Sequence, residues 1–166
     1  MFKETAKKNP KKISDFILKS FLEAEKGSQL KHGGPFGALI VLNNKIISSA
    51  HNTVLKDNDP TCHAEVNAIR KACKKLKKPH LEGAILIASS EPCPMCLTTA
   101  YWAHINVIYY GLSKTVAAQF GFIDDFIYKD LEKVPAKRKL HVIQDKTHTQ
   151  KGKEIFTRWK KSGKLY

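Results

Sequence analysis

The chain has 166 residues, 42% of them hydrophobic, with a formal net charge of +14. That length suits one globular domain; the longest strongly apolar run, 36–42, cannot span a bilayer, Asp15 and Lys19 break any signal-peptide stretch, and four cysteines suit a reducing, cytoplasmic compartment. Only Arg70, Arg138 and Arg158 among 29 basic residues are arginine, the side chain that forks onto phosphates and base edges, so the lysine clusters read as solvated surface and nucleic acid is not the expected partner.

Residues 11–26 carry Ile13, Phe16, Ile17, Phe21 and Ala24 at helical spacing, which predicts an amphipathic helix ended by Gly27. Gly33-Gly34-Pro35 turns the chain into a strand over 36–42, and Asn43-Asn44 is a tight-turn signal that returns 45–50 antiparallel. Asp59-Pro60-Thr61 reads as a helix start, with Asp59 or Thr61 as the N-cap. The helix itself covers 62–78, with Val66, Ile69, Cys73 and Leu76 as its apolar stripe. A buried strand at 84–89, a helix at 93–103 and a strand at 105–110 follow. Beyond them come a short helix near 114–120, an irregular aromatic segment over 120–128, and a fifth strand at 139–144. A last helix over about 148–162 has Ile155, Phe156 and Trp159 on its apolar side. Alternating strands and helices predict a layered α/β sheet with largely parallel crossovers.

Two motifs carry the chemistry. His63-Ala64-Glu65 is followed by Pro92-Cys93-Pro94-Met95-Cys96, which together offer one imidazole, two thiolates and a spare carboxylate. Zinc takes nitrogen and sulfur ligands tetrahedrally, and a catalytic zinc keeps its fourth position for water. Cys93 and Cys96, at i and i+3, share one face of a helix, whereas His63 and Glu65, at i and i+2, converge only beyond a helix end. Two thiolates cancel the charge of Zn²⁺, so its water is less acidified than under three imidazoles, and a carboxylate that accepts the proton repairs the deficit. Glu65 is placed for that work. A structural zinc site would instead need a fourth ligand, Cys62 or Cys73, and a redox Cys-x-x-Cys would need neither His63 nor Glu65. Cys73 reads as a core thiol and Cys62 as a small packed residue, while His104 and His141 read as surface or packing residues. The H-x-E…P-C-x-x-C pattern is a general signature of zinc nucleobase deaminases.

Gly33-Gly34-Pro35-Phe36-Gly37-Ala38, His51-Asn52, the two metal motifs with Glu91, Tyr101-Trp102-Ala103 and Gly121-Phe122-Ile123-Asp124 resemble the guanine deaminases of the cytidine deaminase superfamily. The resemblance runs from about residue 11 to Tyr166. It implies a single domain over 1–166 with a three-layer α/β/α cytidine deaminase-like fold and a five-stranded mixed sheet. It further implies one Zn²⁺ per chain on His63, Cys93 and Cys96, with Glu65 moving protons. Asn52 and Asp124 would hydrogen-bond a purine, Phe36 and Trp102 would pack on its ring, and Asp124 would take part in catalysis. The implied reaction is hydrolytic deamination of guanine to xanthine and ammonia; a guanosine deaminase or a tRNA adenosine deaminase is the alternative. Such proteins are homodimers with exchanged C-terminal segments, which would carry residues 148–166, and Tyr166 with them, to the partner's site. One departure is Ile123, where a second acidic residue is usual; a displacement by one residue would put Asp125 at the substrate instead.

Overall fold

The computed structural model describes residues 10–163, so Tyr166 lies outside the described residues. The chain divides into two compact units, one up to Asp124 and the other from Asp125 onward.

The first unit opens with α1 (Pro10–Gln29), which runs straight through Gly27. A Cβ at Gly27 would stand 2.6 Å from the His51 side chain, so this glycine serves close approach and does not end the helix. Strands β1 (Gly37–Leu42) and β2 (Lys45–His51) form a hairpin. Asn43 and Asn44 at its tip both have positive φ (50° and 62°), the type I′ geometry that matches the twist of paired strands. A single turn, α2 (Val54–Asp57), leads to α3 (Ala64–Leu76), then β3 (Ile85–Ser90), α4 (Pro94–Trp102), β4 (Val107–Leu112) and α5 (Lys114–Ala118).

The sheet has the order β2-β1-β3-β4. Only β3 and β4 are parallel; β1 pairs antiparallel with both β2 and β3, so the expected parallel character is confined to the β3-α4-β4 crossover. Alternation along β1 and β3 builds two cores. Leu39, Val41, Ile85 and Ile87 pack with Phe16 of α1, while Ala38, Ile40 and Leu86 pack with Ala64, Ala68, Ile69 and Ala72 of α3 and with Ala100 of α4. Helices therefore cover both faces of the sheet, giving the expected three layers. The wholly buried Ala64, Ala68 and Ala72, spaced four apart, let α3 lie close on the strands. The outer part of the expected stripe, Cys73 and Leu76, is only partly buried at the edge of that core.

The second unit contains α6 (Asp125–Leu131), a short 3₁₀ turn at Pro135–Lys137 and α7 (Thr149–Ser162). The expected irregular segment thus becomes helical from Asp125, whose carboxylate lies 3.9 Å from Lys129 one turn along. The expected strand at 139–144 does not form among the described residues, and the sheet has four strands instead of five. Leu140, Val142 and Ile143 are 73%, 82% and 87% exposed, so the alternating sequence has no neighbouring strand to complete its backbone bonds. No described helix is long and apolar enough to cross a membrane.

Candidate metal centre and active site

The two motifs meet at the ends of two helices. His63 is the N-cap of α3 and Cys93 the N-cap of α4, both in extended backbone, and neither side chain caps its own helix. Asp59 is not the cap; its carboxylate accepts from the Thr61 backbone N–H and hydroxyl, a local turn that delivers the chain to His63. Pro94 occupies the first turn of α4, where a missing N–H costs least. Cys96, one turn further on, is fully buried.

His63 Nδ1 stands 3.5 Å from Cys93 Sγ and 3.5 Å from Cys96 Sγ. Tetrahedral zinc with bonds of about 2.3 Å to sulfur and about 2.0–2.1 Å to nitrogen would hold such atoms about 3.6 Å apart. The spacing therefore fits zinc, and the three donors leave one corner open. A hydrogen bond from Cys96 brings the Cys93 thiol down to about 4, against the effect of burial and with help from His63. The same bond, together with burial, pushes the Cys96 thiol up, and Cys93 raises His63. The two sulfurs share one proton's worth of hydrogen bonding, and a divalent cation is the partner that would hold both as thiolates.

Glu65 sits in the first turn of α3 and is only 7% exposed. Burial pushes its carboxyl up, and Cys96 lies within hydrogen-bonding reach of it. A carboxylate so enclosed beside a metal group belongs to no surface salt bridge. Its burial and raised pKa are the features that a proton-transfer group beside a metal would need.

The outer residues are distributed unequally. Asn52, 5% exposed, follows β2; its Oδ1 accepts from the Val54 N–H (3.1 Å). A Cβ on Gly33 would come within 2.0 Å of that oxygen, so Gly33 gives Asn52 its place. Phe36 meets Phe122 edge to face, centroids 4.8 Å apart. Asp124 is half-buried and close enough to His63 to raise its basicity, whereas Asp125 is exposed at the head of α6. Trp102 is not brought to the group. It is 74% exposed at the far end of α4, about 13 Å of helix from Cys93.

One residue had no sequence signal of its own. Asn67 Nδ2 donates to the Thr53 hydroxyl (2.9 Å), to the His51 carbonyl (3.2 Å) and to the Cys62 carbonyl (3.3 Å). It thereby joins the segment bearing Asn52 to the segment bearing His63. An asparagine inside a helix, four residues after a ligand, is the only trace of this role. Cys62 and Cys73 stay outside the ligand group: burial raises both thiols, and Cys73 Sγ lies 3.5 Å from the Pro79 carbonyl.

A His/Cys/Cys group at two helix N-termini, set on a three-layer sheet beside a buried glutamate, defines a zinc-dependent deaminase. Residues 10–112 match the cytidine and deoxycytidylate deaminase zinc-binding region, and the chain belongs to that family. Guanine deaminase of Bacillus subtilis is 46% identical over 129 residues, covering 78% of this chain and 83% of that protein. The X-ray structure of guanine deaminase from that organism superposes with a TM-score of 0.84 at 41% identity, over 92% of this chain and 97% of that one. A tRNA-specific adenosine deaminase of Aquifex aeolicus is 39% identical over 115 residues, 67% of this chain and 76% of that protein.

Proposed function

We propose that the protein deaminates guanine hydrolytically, giving xanthine and ammonia. The observation that carries this reading is a half-buried carboxylate, Asp124, near a metal group that already has its own proton-transfer residue, Glu65. Guanine presents N1–H and the 2-amino group side by side, a donor pair that a carboxylate accepts and an apolar pocket cannot match. The 46% identity to a guanine deaminase over most of the chain supports the same substrate.

When bound, zinc supplies a polarised water as the nucleophile for C2 of the ring. His63, Cys93 and Cys96 hold the ion. Glu65 takes a proton from the attacking water and passes it to the ring nitrogen. It then carries a second proton to the departing amine, so that water and guanine leave as xanthine and ammonia. With its oxygen engaged by Val54, Asn52 has its amide N–H₂ left as a donor for a ring acceptor. Phe36, braced by Phe122, offers an edge for the base to pack against. Incubating purified protein with guanine, guanosine, cytosine, adenine and unmodified tRNA, and measuring ammonia and inosine, tests the reading. Ammonia from guanine alone is expected. Faster release from guanosine, or inosine in tRNA, would replace guanine with one of those substrates.

Asp124→Asn should impair guanine turnover without loss of zinc, because one amide oxygen cannot accept as a carboxylate does. Loss of a charge-assisted hydrogen bond costs about 1.5–3 kcal/mol, which is roughly 10- to 150-fold in kcat/KM. If Asp125→Asn causes that loss instead, the substrate carboxylate is the neighbouring one.

The working form is proposed to be a cytoplasmic homodimer in which the C-terminal segment, about 148–166, crosses to the partner. Supporting this are the exposed Trp102 in the first unit and the exposed Ile143 and Phe156 in the second, apolar side chains that a second copy would cover. Tyr166 would then lie over the partner's purine as a lid. Deleting residues 163–166 should leave zinc content and folding intact while sharply weakening guanine deamination. Undiminished kinetics from the truncated protein, or an active monomer by light scattering, would remove the lid.

A further inference from the structure

We propose that His80, Glu82 and His104 form a second cation site, separate from the zinc centre, for a divalent late first-row transition metal held by two imidazoles and one carboxylate. The local structure builds the cluster. His104 follows the end of α4 in a left-handed conformation (φ 55°), its N–H bonded to the Tyr101 carbonyl (3.0 Å). Glycine or asparagine is usual at such a helix end. Here the turn brings the His104 ring back over the loop between α3 and β3. That loop is fixed in turn: the Leu81 N–H donates to the Ala103 carbonyl at 2.7 Å, tying the segment of His80 and Glu82 to that of His104.

The donor atoms lie close together. The two rings stack with centroids 3.8 Å apart and planes 9° from parallel. Both Nδ1 atoms turn to the same Glu82 oxygen, His104 at 3.2 Å and His80 at 3.8 Å. One ligand atom from each of the three residues lies within 4.8 Å of the others. A backbone N–H and then His104 hold the Glu82 carboxyl below its usual range, so the oxygen is an anionic donor. Imidazole nitrogens with one carboxylate suit Zn²⁺, Cu²⁺ or Ni²⁺ and leave the remaining positions to water. Lone pairs of parallel rings do not converge, so binding turns one ring out of the stack. His104, 48% exposed against 22% for His80, is the ring free to turn.

The position separates this cluster from catalysis. Glu82 and His104 precede β3 and β4, whereas Cys93 follows β3, so the six residues of that strand, about 20 Å, stand between the two metal groups. An ion here would clamp two loops together and stabilise the native state by mass action.

Untagged protein holding one zinc per chain is freed of excess metal and titrated calorimetrically with Ni²⁺, with thermal unfolding followed in parallel. One further equivalent is expected, with a rise in Tm. His80→Ala and His104→Gly, the second chosen because glycine accepts a positive φ, should each weaken that equivalent. Losing even an outer partner of a metal site costs 10- to 100-fold, so at least about a tenfold loss is expected for a ligand. Both variants should keep the first zinc, and His141→Ala, an exposed histidine elsewhere, should bind as wild type. Absence of a second equivalent in the wild type overturns the proposal, as does undiminished Ni²⁺ binding in the His80→Ala/His104→Gly double variant.

Discussion

Glu65→Gln should keep about one zinc per chain and lose activity by about 10²–10⁴-fold, the usual contribution of a positioned general acid–base. Zinc stays because the three donors that converge at 3.5 Å spacing do not include this carboxylate. Folding stays because glutamine keeps the volume of a side chain only 7% exposed, and because burial already disfavours its charge. Activity falls because an amide cannot accept the water's proton. Metal analysis alongside turnover separates the two effects. A zinc-replete variant that still turns over substrate at the wild-type rate would remove Glu65 from proton transfer.

The reason this residue could be singled out from sequence lies in the stringency of the metal. Coordination demands particular atoms at nearly fixed spacing, so a His-x-Glu and a Cys-x-x-Cys leave few geometries open, and the N-caps of α3 and α4 realise one of them. The Asn43-Asn44 hairpin was legible for a similar reason: consecutive left-handed residues admit few side chains. Signals with two physical causes misled. Gly27 resembles a helix end, yet it answers the approach of His51 to α1. Alternation over 139–144 resembles a strand, but a strand also needs a partner, and sequence does not say whether one is present. Asp59 and Thr61 resemble helix caps, yet they bond to each other in a turn. Asn67 was invisible because its three partners, on the end of β2 with its following loop and on the segment before α3, are brought together only by the fold.

Replacing the ligands should separate metal from fold in the same way. His63→Ala, Cys93→Ala and Cys96→Ala are each expected to lose most of their zinc, and with it activity by at least about 100-fold, since a catalytic zinc held by three protein ligands has none to spare. Helix starts should survive in the first two, because neither His63 nor Cys93 uses its side chain to cap the helix it begins. The ordinary cost of deleting a capping side chain, about 1 kcal/mol, therefore does not apply. Cys96 differs in being fully buried, so its loss also opens a small cavity under α4 and should lower Tm as well as zinc content. Cys62→Ala and Cys73→Ala are the controls: both thiols lie outside the converging group and both should retain the ion. Metal analysis and far-ultraviolet circular dichroism on the five proteins make the distinction. Full zinc occupancy in His63→Ala or Cys93→Ala would mean that a different set of side chains holds the metal, whereas zinc loss in Cys62→Ala would add a fourth protein ligand and leave no open corner for the water that the proposed reaction needs.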